Sequence, residues 1–359
     1  MVELQKVSRH QAPEEIQGGL REKVSPARRH DVLLAWALRL IAAGPVVVLL
    51  CIWGVFSVLS PYFATVSNLT NVLVQSSSIA LLALGALLVV LVGSLDLSLG
   101  STVGFCTIVA AVVFRDAPSL DGLVVLLVLL VGAALGVVNA VLIVGLRLGN
   151  AFIVTLGMLY IVQSLAYVVS GGTQVPGVSP ALTTLANGSV LGVPGPVLLV
   201  LGAATALWFL LHRLAWGRWI VAIGGNRDAA VKVGIPVRAV LCSVYVIASV
   251  LAAVTGILVS GLNSSGAVDN GTSILQAIAA VVVGGASLSG GRGNVGATVV
   301  GALILGSVTN GLTLLSISTS WTPFAIGAVL VAAVGLDRLR SSVEGRLRVR
   351  QAQAQAGAL

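Results

Sequence analysis

The chain has 359 residues, 57% of them hydrophobic and only 9% charged, with a formal net charge of +8. Soluble domains average roughly 25% charged residues, so this composition excludes an ordinary water-soluble fold. The three cysteines, Cys51, Cys106 and Cys242, all fall in apolar runs and read as buried thiols with no disulfide framework.

Residues 1–30 are polar and mixed in charge, with Glu14, Glu15, Arg28 and Arg29. They lack the short apolar core and cleavage site of a signal peptide and read as a disordered cytoplasmic tail. Asp31 to Leu40 reads as a short amphipathic lead-in. Apolar runs then follow at 41–59, 70–92, 98–114, 122–144, 151–170, 191–211, 239–261, 273–288, 296–317 and 322–336. Runs of this length are membrane spans, so the expected fold is an all-α polytopic bundle of about ten transmembrane helices over residues 31–337. Residues 338–359 form a second polar tail. Glycine is abundant, at 42, and small residues let helix backbones approach closely in such a bundle.

Charge placement sets the orientation. With a cytoplasmic N-terminus and alternating spans, all 20 Lys and Arg residues except Arg115 fall on the cytoplasmic side. That is the bias of the positive-inside rule. The excess positive charge therefore reads as a topology signal and an attraction to anionic lipid, not as a nucleic-acid surface. The uncharged loop from Gly171 to Leu191 lands outside, as does Asn263 to Gly271.

Two polar breaks interrupt the apolar runs on the cytoplasmic side. The first, Gly93-Ser94-Leu95-Asp96-Leu97-Ser98-Leu99-Gly100-Ser101, holds the one acid well inside the apolar blocks. A carboxylate there is costly and marks a functional candidate. Asp96 or Ser98 could equally cap the following helix and fix the loop. The second break runs from Gly284 to Gly293. Its glycines suggest a phosphate cradle, but a P-loop needs Gly-Lys-Ser/Thr, and none of Lys6, Lys23 and Lys232 follows a glycine. The ordinary reading is a tight turn between packed helices. Gly93, Leu97, Ser98 and Gly100 align weakly with Gly284, Leu288, Ser289 and Gly291.

Enzyme constellations are missing. His10, His30 and His212 lie in the tail or at a span end, and no second acid forms a carboxylate dyad with Asp96. No catalytic site and no bound cofactor or metal are expected in this chain. Polar side chains within spans include Gln75, Ser76, Ser77, Ser78, Asn139, Thr155, Gln163, Gln276 and Asn310. They suit a pathway for a neutral hydroxylated solute, or hydrogen bonds between helices.

Between the apolar blocks lies Trp216 to Arg238, with Arg218, Arg227, Asp228, Lys232 and Arg238. Gly224-Gly225-Asn226 leads into two helical turns, Asn226 is a natural N-cap, and Gly234 with Pro236 gives a stop. This is either a docking element or a plain basic loop. If it docks, Ala229, Ala230 and Val233 are expected to form its apolar side.

Four stretches in this order carry a resemblance: Asp96 to Ser101, Phe152-Ile153-Val154-Thr155-Leu156-Gly157, Ala222-Ile223-Gly224-Gly225-Asn226, and Gly284 to Gly293. The chain resembles the permease subunits of ribose-type sugar ABC importers over roughly residues 65–336. Ser94 stands where a second glycine is common, and Ala286 where a threonine is common. The resemblance implies a multi-pass protein of the bacterial inner membrane. It pairs with a second permease copy or close relative, takes solute from an extracytoplasmic solute-binding protein, and is driven by a separate ABC ATPase that holds the ATP. It also implies that Gly225, Asn226, Arg227, Asp228, Ala229, Ala230, Lys232 and Gly234 form the coupling helix that seats in the ATPase. Gln75, Ser78, Asp96, Ser98, Phe152, Thr155 and Asn310 remain candidates for the pathway or for fixing its loops. The main alternative is an ion-coupled secondary transporter, which needs ionisable residues near the midplane that these spans hardly offer.

Overall fold

A computed structural model describes residues 44–268, 272–332 and 335. The two polar tails and the lead-in at 31–40 lie outside the described residues. Among those residues, seven helical segments are long and apolar enough to cross a membrane. They are α2 (Val66–Leu91), α3 (Ser98–Asp116), the stretch Pro118–Gly145 containing α4 (Val124–Ala140), α5 (Ala151–Ser170), α7 (Gly195–Arg213), α10 (Val237–Asn263) and α12 (Val295–Leu314). Three shorter apolar helices, α1 (Gly44–Leu59), α11 (Thr272–Val283) and α13 (Thr322–Ala332), sit at the other three expected runs. Outside the spans lie α6 (Pro180–Asn187), α8 (Ala215–Gly225) and α9 (Arg227–Lys232).

α2 and α10 are the buried centre. Every residue of α2 from Ala80 to Leu91 is buried, and α10 buries Val240, Val244, Tyr245, Ala248 and Ala252. By contrast, α5 leaves Ile153, Tyr160, Ile161, Leu165 and Val168 exposed, an apolar face that suits lipid or another membrane helix.

The abundance of glycine is explained where α4 crosses α10. Gly132 and Gly136, four apart on α4, face Ser249 and Ala253, four apart on α10. A Cβ on Gly136 would lie 2.7 Å from Val246 Cα and 2.9 Å from the Tyr245 carbonyl oxygen. Small residues at this spacing let two helices touch backbone to backbone.

At one end of the bundle, β1 (Val175–Pro176) pairs antiparallel with β4 (Ser265–Gly266). A two-residue hairpin of β2 (Ser189–Val190) and β3 (Val193–Pro194) stands beside α6, with Leu191 fully exposed at its tip. The expectation of an ordinary span at 273–288 needs correction here. The chain after α10 dips back into the bundle. Thr107 Oγ accepts a bond from Ala267 N at 3.0 Å and donates to Ala267 O at 2.7 Å, roughly 14 Å below the end of α3 by helical rise. α11 therefore starts inside the bundle and has only 12 residues, about 18 Å against a hydrocarbon core of ~30 Å. Irregular backbone at this depth is tolerated because protein partners satisfy it.

The α4–α10 crossing gives a paired test. Gly136→Val should lower the unfolding free energy of the detergent-solubilised protein by about 2 kcal/mol or more, the usual scale of overpacking. Gly157→Val, on the open face of α5 where a Cβ meets nothing within 4 Å, should change it by less than about 1 kcal/mol. Thermal melts by fluorescence-detected gel filtration compare the two.

Candidate functional site

The opposite end of the bundle gathers the two breaks and the central polar stretch. Each break begins in the same way. α2 ends with Gly93 at φ +74°, its N–H bonding Val90 O and Ser94 N bonding Val89 O. α11 ends with Gly285 at φ +84°, its N–H bonding Val282 O and Ala286 N bonding Val281 O. This left-handed glycine cap satisfies carbonyls that helix termination would orphan. The structural equivalence is Gly93 with Gly285, one residue from the sequence alignment with Gly284.

Asp96 is buried in the first break, at 3% exposure. Its Oδ1 accepts from Ser98 N at 2.9 Å and from Ser98 Oγ at 2.6 Å. Its Oδ2 accepts from Asn139 Nδ2 at 3.2 Å, and that nitrogen also donates to Ser98 Oγ at 2.8 Å. Asp96 thus holds the start of α3 and ties it to the end of α4, just before a π-helical turn at Val141–Gly145. Thr155 Oγ on α5 donates to Leu95 O at 3.4 Å and to Phe152 O at 3.3 Å. Ser94 Oγ and Tyr245 OH lie 2.9 Å apart. The break is therefore anchored to α4, α5 and α10.

The central stretch forms α8 and α9. Asn226 Oδ1 accepts from Ala229 N at 2.9 Å, capping α9, and Gly234 at φ +82° closes it. The three residues expected on its apolar side, Ala229, Ala230 and Val233, do not share one exposure. Ala230 is 3% exposed and packs into the bundle, so it cannot meet a partner; Val231 and Val233 are exposed at 58% and 76%, beside exposed Ala229. Arg227, Asp228 and Lys232 are exposed around them. The second break lies against the end of α8, Gly290 and Gly291 beside Gly224 and Gly225, and Gly291 N bonds Leu91 O at the end of α2 at 2.9 Å. A cavity of about 500 Å³ opens beside this contact, lined in part by Ser94, Asn150, Phe152, Arg227 and Tyr245.

A second cavity, of about 210 Å³, lies near the middle of the bundle. Ser78 of α2, Thr107 of α3, Thr255 of α10, and Ser273 and Gln276 of α11 supply its polar groups, with Ile79, Leu82, Val103 and Val259 around them. Among the described residues, no charged side chain lines it. Of the residues expected in a pathway, Ser78 and Gln276 are here. Gln75 is exposed on α2. Asn310 accepts from Asn68 Nδ2 at 2.9 Å and ties α12 to α2. Thr107, Thr255 and Ser273 were not singled out from the sequence, because a hydroxyl in an apolar run gives no sign of which helix face it occupies. Among the described residues, no group of three His, Cys, Asp or Glu could hold a metal ion.

The Asp96 geometry separates capping from charge. In Asp96→Asn the new amide still accepts from Ser98, and its nitrogen can donate to Asn139 Oδ1, which is buried without a partner. Most of the stability should remain. Asp96→Leu leaves Ser98 and Asn139 groups unsatisfied and should cost roughly 2–5 kcal/mol, on the scale of about 1–3 kcal/mol for each buried group. Thermal melts of the two variants give the comparison, and equal loss in both would assign the role to the charge.

Comparison with known proteins places this arrangement. The family described as branched-chain amino acid transport system / permease component matches residues 68–334. The ribose import permease of Escherichia coli K12 is 38% identical over 300 residues, 81% of this chain and 92% of that protein. The D-allose transport system permease of the same organism is 35% identical over 302 residues, 83% of this chain and 92% of the other. The L-arabinose ABC transporter permease of Azospirillum brasilense is 32% identical over 332 residues, 91% and 95% of the two chains. No solved structure matches. With the match covering most of the bundle and both breaks, the chain belongs to this family of membrane transport permeases.

Proposed function

We propose that this chain is the membrane permease of an ATP-driven importer for a neutral sugar or sugar-like solute, delivered by an extracytoplasmic binding protein. In this reading all ten apolar helices cross or enter the bilayer, both termini are cytoplasmic, and the end that holds the two breaks faces the cytoplasm. Two permease chains pair around the path. The ATPase seats against α9 through Val231, Val233 and Ala229, ringed by Arg227, Asp228 and Lys232. The observation that carries the reading is the mid-depth cavity. Among the described residues, its lining offers hydroxyls and an amide but no charge, which suits a polar, uncharged solute. An ion-coupled carrier would hold an ionisable group there. The buried Asp96 is instead engaged with Ser98 and Asn139 at the end of the bundle that holds the breaks. The permease relatives named for ribose, allose and arabinose support the same solute class.

Orientation is tested by cysteine labelling. Ser179, a natural choice in the outer loop, is fully buried, so Leu191, fully exposed at the hairpin tip, is the better probe. An impermeant maleimide added outside should label Leu191→Cys and miss Lys232→Cys in a background free of other cysteines; the reverse labelling would invert the topology. Docking is tested by Val231→Glu and Val233→Glu. A charge in the contact should reduce ATPase co-purification and transport at least about tenfold, a differential of ~1.4 kcal/mol or more, with insertion unchanged. Full transport with the ATPase still bound in both variants would place docking elsewhere.

A further inference from the structure

We infer that Gly93, Gly224, Gly290 and Gly291 are positioning residues that form a joint free of side chains, through which α9 moves both helix breaks as one body. The inference rests on the importer reading, since it needs an ATPase acting on α9.

Three chain segments meet there with backbone facing backbone. A Cβ on Gly224 would overlap the Leu91 carbonyl oxygen and lie 2.5 Å from Gly291 N. One on Gly290 would lie 2.8 Å from Gly224 O and 2.8 Å from Gly93 N and Cα. One on Gly291 would lie 3.0 Å from Gly225 N. None of these positions admits a side chain without separating the segments. The Gly291 N to Leu91 O hydrogen bond closes the contact.

Contacts between long side chains absorb a small displacement by changing rotamer. Backbones in van der Waals contact have no such slack, because close-packed atoms transmit strain. A shift of the Gly224 peptide must therefore carry Gly93 and Gly290 with it. Gly93 leads through the Asp96 clamp into α3, and Gly291 leads through the Asn294 cap into α12. α2, α3 and α11, the helices next to these breaks, carry Ser78, Thr107, Ser273 and Gln276 of the mid-depth cavity. The joint thus links the docking element to cavity walls remote from it in sequence, beyond its immediate neighbours α8 and α10.

Two glycine substitutions separate this from simple packing. Gly290→Ala and Gly285→Ala both place a side chain at positive φ, +88° and +84°, so both carry the same backbone strain. Only the Gly290 position collides with the other segments; at Gly285 a Cβ meets nothing within 4 Å. The assay uses proteoliposomes of the permease with its ATPase and binding protein, with D-ribose, D-allose and L-arabinose as probes. Gly290→Ala should retain the bound ATPase and hydrolyse ATP, yet lose transport at least about tenfold; Gly285→Ala should stay within about threefold of the parent. Equal transport in the two variants overturns the joint. A parent complex that neither binds an ATPase nor takes up a probe overturns the importer reading, and the inference with it.

Spin labels test the joint with its glycines intact, and decide the matter if Gly290→Ala fails to fold. Labels replace Val221 of α8, Leu288 of the second break and, as reference, Tyr160 of α5, all exposed, with Cys51, Cys106 and Cys242 removed. Between nucleotide-free and ATP-bound complexes, the Val221–Leu288 distance should hold while both shift against Tyr160. A change in Val221–Leu288, or no shift of either against Tyr160, overturns the inference.

Discussion

A backbone that stops being helical inside a bilayer has no water to satisfy its N–H and C=O groups, and each one left unpaired costs several kcal/mol. The breaks in this bundle can be understood from that constraint. Left-handed glycines at Gly93 and Gly285 fold the last carbonyls of α2 and α11 back onto amides of the turn. Asp96 supplies acceptors where α3 begins, and Asn294 does the same for α12. What local capping cannot satisfy, the other break does, through Gly291 N and Leu91 O. The chain meets the constraint by bringing two remote irregular segments together, and the end of α8 packs against them.

The apolar runs made the helices legible in the sequence, since lipid tolerates little else. The glycine-rich breaks were legible as breaks. Their mutual contact was not, because glycine leaves no pattern that names its partner. Asp96 with Ser98 was readable from adjacency, whereas Asn139, which completes the clamp, lies on α4 and shows only as a lone amide in an apolar run. Ala230 was misplaced for a different reason. α9 has only six residues, and Ala229, Ala230, Val231 and Val233 surround it, so hydrophobicity alone cannot say which side meets the bundle. α11 looked like a span of ordinary length because its apolar run continues into the second break. The re-entrant turn that shortens it is fixed by Thr107 and Ala267, far apart in the chain.

Stability and movement are divided between regions. The α4–α10 crossing is packed without room for a further methyl group at Gly132 and Gly136, and such contacts resist deformation. The irregular segments lie where helices end, and these are the places where a chain can turn with little loss of packing. A bundle built this way has stiff walls and articulated corners.

The mid-depth cavity has an electrical consequence. Moving one elementary charge across a membrane potential of 100 mV involves about 2.3 kcal/mol. Among the described residues no charged side chain lines the cavity, and Asp96, held by Ser98 and Asn139, and the Arg115–Asp116 pair are not in its lining. An uncharged solute passing there would carry no current, and none of the described lining residues would bring a charge through the field with it. Uptake along this route would be electrically silent, with a rate indifferent to the potential that drives many other carriers in the same membrane.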